Sequence, residues 1–168
     1  MTPPPEVSVA LVAKVLVVSD GVHEGTREDR AGPKVVQRLN DAGWAVIDHR
    51  VTADGIDEVA FALRDLVAGF TGVVLTTGGT GFGPRDLTPE GTRTVIDREA
   101  PGLAEAMRRT SDTPGRPFGM LSRSVCGTVG TAIVCNLPGS SNGALECLDV
   151  VLPALPHALD LLSGGRPH

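Results

Sequence analysis

A three-layer α/β/α sandwich around a mostly parallel sheet is the fold class this sequence predicts, as a single domain over residues 13–163. Three observations carry that expectation. Short β-branched apolar runs alternate along the chain with segments of helical spacing, the pattern of chains whose helices cover both faces of a parallel sheet. The run GVVLTT at 72–77 is continuous rather than alternating, as a strand covered on both faces requires. The length, 168 residues, suffices for one substantial core and is short for two.

The elements follow in chain order. Residues 1–12 hold the proline-rich start MTPPPE and are expected to form a frayed N-terminal arm. AKVLVV (13–18) reads as a buried strand that stops at SDG, and the segment to residue 31 reads as a polar loop. Pro33 suits the first turn of a helix, Val35, Val36 and Leu39 follow at helical spacing, and Gly43 suits its end, so residues 32–42 should be helical. WAVIDHRV (44–51) reads as a second strand. A second helix should run from about 55 to 68, with Asp54 as a plausible N-cap.

After the strand at 72–77 and the glycine-rich stretch behind it, Thr88 as N-cap, Pro89 and Glu90 announce a helix, interrupted near 100–102 and resuming through LAEAMRRT. Two shorter strands flank a turn within 120–139. A last helix over about 142–163 carries Leu145, Leu148, Leu152, Leu155, Leu159 and Leu162, a stripe for a sheet or a neighbouring subunit. Residues 164–168 are read as a C-terminal tail.

Composition narrows the function classes. The net charge of −5 repels nucleic acid and anionic membrane, and with no Tyr, one Trp and four Phe there is little to stack bases on. The start lacks a basic region, with Glu6 and Lys14 bracketing a short apolar run, so neither a signal peptide nor a membrane span is expected and the reading is cytoplasmic. Cys126, Cys135 and Cys147 are too far apart for a CxxC-type zinc site and read as buried free thiols.

The stretch TTGGTGFGPRDLTPE, Thr76 to Glu90, carries most of the functional signal. Gly78 and Gly83 have Walker A spacing, but Pro84 and Arg85 stand where Lys and Ser or Thr belong. The dinucleotide fingerprint fails too, with Pro84 or Asp86 at the third glycine position. What remains is an anion-binding concavity, since clustered glycines let backbone N–H groups converge on a phosphate. Arg85 beside it can neutralise charge, and Asp86 makes sense there with a divalent cation between carboxylate and phosphate. Asp86 can also be read as a charge favouring the following helix N-terminus.

Asp20 after the first strand, Asp54 after the second, and NLPGSSNG with Ser140 and Ser141 after the last are expected at the same carboxyl edge of the sheet. Each has a simpler reading, as a turn residue, a helix cap and a helix cap respectively. His23, His49, His157 and His168 are scattered and there is no GxSxG elbow, so a nucleophilic triad is not supported. Magnesium-assisted phosphoryl or nucleotidyl transfer, which asks mainly for positioning and charge neutralisation, is the better reaction class.

Taken together, SD at 19–20, EDRAGP at 28–33, TTGGTGFGPRDLTPE at 76–90, PGLAEAMR at 101–108, LSR at 121–123 and NLPGS at 136–140 resemble the molybdenum-cofactor biosynthesis family of the MoaB/Mog type, in order and spacing over residues 13–163. The resemblance implies a molybdopterin adenylyltransferase that joins ATP and molybdopterin, with Mg²⁺, to give adenylylated molybdopterin and pyrophosphate. It implies Asp54 and Asp86 as catalytic aspartates, with Asp86 assigned to the metal and Asp54 either to the metal beside it or to positioning substrate. For substrate and phosphate it implies Ser19 and Asp20, the loop Gly78, Gly79, Thr80 and Gly81 with Arg85, then Ser122 and the turn Pro138, Gly139, Ser140 and Ser141.

It also implies a homotrimer or hexamer and contact with the molybdenum-insertion enzyme. FGPRD is closer to the MoaB branch, and Ser141 and Asn142 follow LPGS where the family continues with proline. The alternative within the resemblance is a paralogue that binds molybdopterin without turning it over.

Overall fold

The computed structural model describes residues 9–165, so the proline-rich tip and the end of the C-terminal tail lie outside the described residues. Six strands form one sheet: β1 (Val12–Val18), β2 (Ala45–Thr52), β3 (Gly72–Thr77), β4 (Arg98–Glu99), β5 (Cys126–Val129) and β6 (Ala132–Leu137), in the order β2-β1-β3-β6-β5-β4. β1 pairs in parallel with β2 and β3, and β3 with β6; β5 runs antiparallel to β6 and β4 antiparallel to β5. The sheet is thus mostly parallel, as the unbroken apolar runs predict.

The burial pattern explains the order. Every residue of β3 and β6 is buried, which places them in the middle, whereas most of β2 is exposed, which places it at the edge. In β2 the register slips by one against β1, between Ala13 and Lys14, leaving Ile47 out of the pairing and 61% exposed. A bulge of this kind makes an edge strand a poor template for another chain. Lys14 in β1 is accommodated by donating to the Leu66 carbonyl at 2.8 Å and lying over the Phe70 ring.

Helices α1 (Asp20–Glu24), α2 (Ala31–Asp41), α3 (Ile56–Val67), α4 (Thr88–Arg93), α5 (Pro101–Ser111), α6 (Ser141–Val151) and α7 (Leu155–Leu162) cover the two faces. Val35 and Leu39 of α2, Ala104 and Met107 of α5, and Leu148, Val151, Leu155 and Leu159 of α6 and α7 pack on one face. Val59, Leu63, Leu66 and Val67 of α3 pack on the other against Leu16, Val18, Val74 and Val134. Each such side chain contributes about 1.5–3 kcal/mol by leaving water, and cutting Leu63 back to Ala would cost about 2–5 kcal/mol. All three cysteines are free and buried, as expected.

Several sequence expectations are corrected. The segment after β1 is not simply a loop: Ser19 caps α1, accepting from Val22 N at 3.2 Å, and Gly25 ends it at φ 78°. The helix expected from Thr88 is cut short at Arg93, and β4 intervenes before α5. Leu87, not Thr88, is the capping residue of α4.

The last helix is two helices joined by a 3-10 turn at Leu152–Ala154, because Pro153 and Pro156 have no N–H to give to the turn before them. Leu148, Leu152, Leu155 and Leu159 are buried, so the leucine stripe faces the sheet. Of the 1–12 arm, residues 1–8 lie outside the described residues, while Val9 and Leu11 pack against the core and Val12 begins β1.

Between β1 and β3 the chain reverses its direction of travel across the sheet: β2 lies to one side, β6 to the other. Crevices open outside the carboxyl ends of strands at such a point. The loops after Val18, Thr77 and Leu137 meet there.

Candidate active site

The floor of the crevice is backbone. Gly78 (φ 106°) and Gly79 (φ 69°) are consecutive residues in conformations that L side chains rarely adopt. A Cβ on Gly78 would lie 2.2 Å from the Val18 carbonyl oxygen, and one on Gly79 would lie 2.2 Å from Thr88 Oγ1. The glycines are therefore dictated by how closely the end of β3 passes the end of β1 and the start of α4. Thr88 serves this contact rather than a cap: its hydroxyl donates to Gly78 O at 2.9 Å and its N–H to Gly79 O at 3.1 Å.

Behind the floor lies a buried polar network. Asn136 Nδ2 donates to Thr76 Oγ1 and to Thr92 Oγ1, both at 3.0 Å, while its Oδ1 accepts from Val125 N at 3.1 Å. These buried groups are all paired, which fixes β3, β6 and α4 relative to one another. On the far wall, Ser140 caps α6 by accepting from Gly143 N at 3.2 Å, as its sequence position suggested.

The carboxylates are arranged by the strand ends. Asp20 N donates to Asp54 Oδ2 at 2.8 Å and Asp54 N donates to Asp20 Oδ1 at 3.1 Å, a reciprocal pair joining the loops after β1 and β2. Asp54 is thus not the cap of α3; Gly55 occupies that position and has no side chain to cap with. Burial pushes the Asp54 carboxyl up from its ordinary value, and the nearby charges of Asp20 and Asp86 add to this against the Asp20 amide and Arg85. Asp86 accepts from Gly83 N at 2.8 Å.

Two adjoining cavities open on this edge. The first, about 850 Å³, is lined by Ser19, the Gly78 to Gly81 loop, Gly139, Asp54 and Asp86 among others. The second, about 860 Å³, is lined by Lys34, Arg116, Phe118, Ser122, Pro138 and Glu146 among others. Arg30, Thr80, Gly81, Ser140 and Ser141 line both and form the seam. Of the residues singled out in the sequence, the structure brings Asp54, Asp86, Ser19, the glycine loop and the Gly139 to Ser141 turn to the first cavity, and Ser122 and Pro138 to the second.

Two are not brought in. Arg85 turns to Asp20, donating from Nε to Oδ2 at 2.9 Å, and to the Asp54 carbonyl at 2.7 Å. Its guanidinium holds the Asp20 carboxyl below its ordinary value, and neither side chain lines the first cavity. The cationic groups that do line it are Arg27 and Arg30. Neither stands out in the sequence as a site residue, because both lie in the 19–31 segment that reads as polar loop. The signal was present in Ser19 and Gly25 bracketing five residues, and in Asp29, whose Oδ1 accepts from Gly32 N at 2.8 Å to start α2.

Whether these residues fit a magnesium ion can be judged from the donor set. Ideal Cβ positions on Gly79 and Gly81 fall 3.1 Å from Asp54 Oδ1 and 3.0 Å from Asp86 Oδ2, so both carboxylates lie against the glycine loop. Among the described residues no three His, Cys, Asp or Glu side chains could enclose an ion. One or two carboxylates, with phosphate oxygens and water completing the shell, is how magnesium binds at nucleotide sites, so the residues fit. A cation there would also offset the burial and, after it, the neighbouring charges that raise Asp54.

Residues 14–157 match the family described as a probable molybdopterin binding domain. The chain is 35% identical over 154 residues to the molybdopterin adenylyltransferase of Helicobacter pylori strain J99, covering 90% of this chain and 87% of that protein. It is 35% identical over 150 residues to the molybdenum cofactor biosynthesis bifunctional protein of Chlorobaculum tepidum, covering 89% of this chain but 48% of that protein. It therefore spans about half the length of that relative. The crystal structure of the molybdopterin biosynthesis enzyme MoaB from Thermus thermophilus superposes with a TM-score of 0.83 at 40% identity, covering 94% of this chain and 98% of the other.

Proposed function

Since the chain belongs to the MoaB/Mog family of molybdenum-cofactor biosynthesis, we propose that it is a molybdopterin adenylyltransferase: an oxygen of the molybdopterin phosphate attacks the α-phosphorus of ATP, and pyrophosphate leaves. The observation that carries this reading is the pair of adjoining cavities that share a seam at Thr80, Gly81, Ser140 and Ser141. Two substrates can each occupy one lobe and meet with their phosphates at the seam. Orientation of this kind supplies much of the acceleration in phosphoryl chemistry, because the attacking phosphate is already ionised at neutral pH and needs no base.

The roles follow from the geometry. The Gly78 amide is committed to Leu137 O at 3.2 Å, so the amides of Gly79, Thr80 and Gly81 are those assigned to the nucleotide phosphates. Arg30 at the seam and Arg27 in the first lobe offset the charge of the assembled phosphates. Asp54 and Asp86 would hold Mg²⁺, which when bound screens phosphate charge and favours departure of pyrophosphate. Arg85 and Asp20 act at one remove, fixing the backbone of Asp54. Ser122 and Pro138 lie on the molybdopterin side, with Ser140 and Ser141 at the seam.

The family resemblance adds assembly into a trimer or hexamer, readable by light scattering, and transfer of the product to the molybdenum-insertion enzyme. No helix among the described residues is long and apolar enough to cross a membrane.

The test is release of pyrophosphate from Mg-ATP in the presence and absence of molybdopterin. Release only with molybdopterin supports the reading. Tight molybdopterin binding without release would instead make the protein a non-catalytic binding paralogue.

A further inference from the structure

The segment from Gly79 to Leu87 carries one carboxylate and the amides of the first lobe, yet it has little apolar anchorage. Phe82 at its tip is 72% exposed, and Gly83, Pro84 and Arg85 are exposed as well. Arg85 ties the segment's exposed middle to Asp20 and the Asp54 carbonyl, and both of its ends are held by one further side chain from a distant part of the chain. Arg123 Nε donates to Gly81 O at 2.9 Å, Nη2 donates to the Asp86 carbonyl, and Nη1 pairs with Glu90 Oε1. The Arg123 backbone N–H donates to Thr80 O at 2.9 Å. A single residue therefore grips both ends of the loop and the helix that follows it.

The charge on this residue is already spoken for. Burial alone would push the Glu90 carboxyl up, but the Arg123 guanidinium and the helix amide outweigh it, so Glu90 stays ionised and below its ordinary value. Glu90 Oε2 is buried with no hydrogen-bond partner among the described residues, so Arg123 is the group that compensates this carboxylate. Arg123 lines neither cavity. It is not a phosphate ligand, and its planar fork matches three acceptors that point in different directions, which a lysine cannot satisfy together.

We propose that Arg123 is a positioning residue for the adenylylation site, clamping the Gly79 to Leu87 loop so that the Asp86 carboxylate and the glycine amides face the nucleotide in fixed register. The clamp rests on the adenylyltransferase reading for its purpose, though not for its existence. Displacement of a reacting group by about 1 Å costs on the order of 10²-fold in rate, so a loosened loop should be read out in turnover before it is read out in folding.

The experiment compares full-length wild type with Arg123→Lys and Arg123→Ala. In Arg123→Lys, amide hydrogen exchange over residues 79–87 should rise about tenfold or more while exchange in β3 and β6 stays at the wild-type level. Affinity for Mn-ATP should fall about tenfold, and kcat by on the order of 10–100-fold, with the KM for molybdopterin within about twofold. Millimolar guanidinium should restore part of the lost nucleotide affinity to Arg123→Ala and none to Arg123→Lys.

Unchanged loop exchange in both variants overturns the proposal. So does exchange that rises evenly through the sheet with kcat retained, which is the signature of a residue that only stabilises the fold. If wild type binds Mn-ATP but releases no pyrophosphate with molybdopterin, the adenylyltransferase reading fails, and the exchange and nucleotide-affinity arms still decide the clamp.

Discussion

The two lobes of the crevice are built from different materials. The first has a glycine-rich floor, with Gly78, Gly79, Gly81 and Gly139 bringing peptide groups to its surface beside Arg27 and Arg30, and with Asp54 and Asp86 held by backbone amides. The second is walled by side chains such as Lys34, Arg116, Phe118 and Leu121, with Phe118 59% exposed. Main chain cannot change its chemistry by mutation, so it suits what every reaction of the class shares, the phosphates and their cation. Side chains can, so under the proposed function the second lobe would set the identity of the partner molecule. The lobes should accordingly fail in different ways when altered.

The largest effect is expected at the cation carboxylate. Asp86→Asn should cut pyrophosphate release by about 10²–10³-fold while leaving molybdopterin affinity within a few fold, because an amide supports neither the metal nor its charge. Turnover within threefold of wild type would reduce Asp86 to a charge ahead of α4 and merge the two lobes into one binding surface.

Gly79→Ala should strike fold and site together. With φ 69° and a Cβ 2.2 Å from Thr88 Oγ1, the residue is strained whatever its neighbours do. A loss of about 1–3 kcal/mol in urea unfolding is expected, along with weakened nucleotide binding. A neutral outcome would show that the first lobe does not depend on its backbone conformation.

Arg116→Ala, in the second lobe, should raise the KM for molybdopterin about threefold to tenfold and leave that for ATP untouched. If steady-state kinetics show the ATP constant moving instead, the assignment of substrates to lobes is reversed.

The smallest effect is one of stability. Because Asp54 is raised in the folded protein, the native state holds its proton more tightly than the unfolded chain does, and stability is lost as pH rises through that raised value. At pH 7 the ionised carboxylate is a liability. Asp54→Asn keeps an oxygen for the Asp20 amide and should gain stability, limited by solvent screening to about 0.5–1 kcal/mol. In thermal melts the gain should fade as pH falls toward about 3, where the wild-type residue is protonated in both states. A variant less stable than wild type at pH 7 would contradict the charge repulsion assigned to the first lobe.

The sequence was most legible where a local pattern suffices. Apolar runs mark β1 and β3, helical spacing marks α2, and strand and helix alternation sets the glycines, Asp54 and Asp86 on one edge. It was least legible where a residue's role depends on a partner far away in the chain. Thr88 and Asp54 look like caps by position, yet one bonds Gly78 and the other bonds Asp20. Arg85 sits beside the glycines in sequence but 65 residues from the aspartate it pairs with. Arg123 lies 37 residues from the Asp86 carbonyl it holds. Such contacts exist only once the sheet order has brought the loops together. Pro153 and Pro156, by contrast, were a local signal outvoted by the leucine periodicity around them.

The reciprocal bonds between Asp20 and Asp54 continue the pairing of β1 and β2 one step past the point where the strands stop, with carboxylates standing in for carbonyls. Elsewhere along that seam the spacing is written into the peptide unit and is the same whatever the residues are. Here it is written into two side chains, so it is open to adjustment by substitution. A change at position 20 would widen, narrow or skew the mouth of the crevice with the sheet left as it is. That makes the rim of this protein a place where lineages, or an engineer, can retune what enters without reopening the question of how the chain folds.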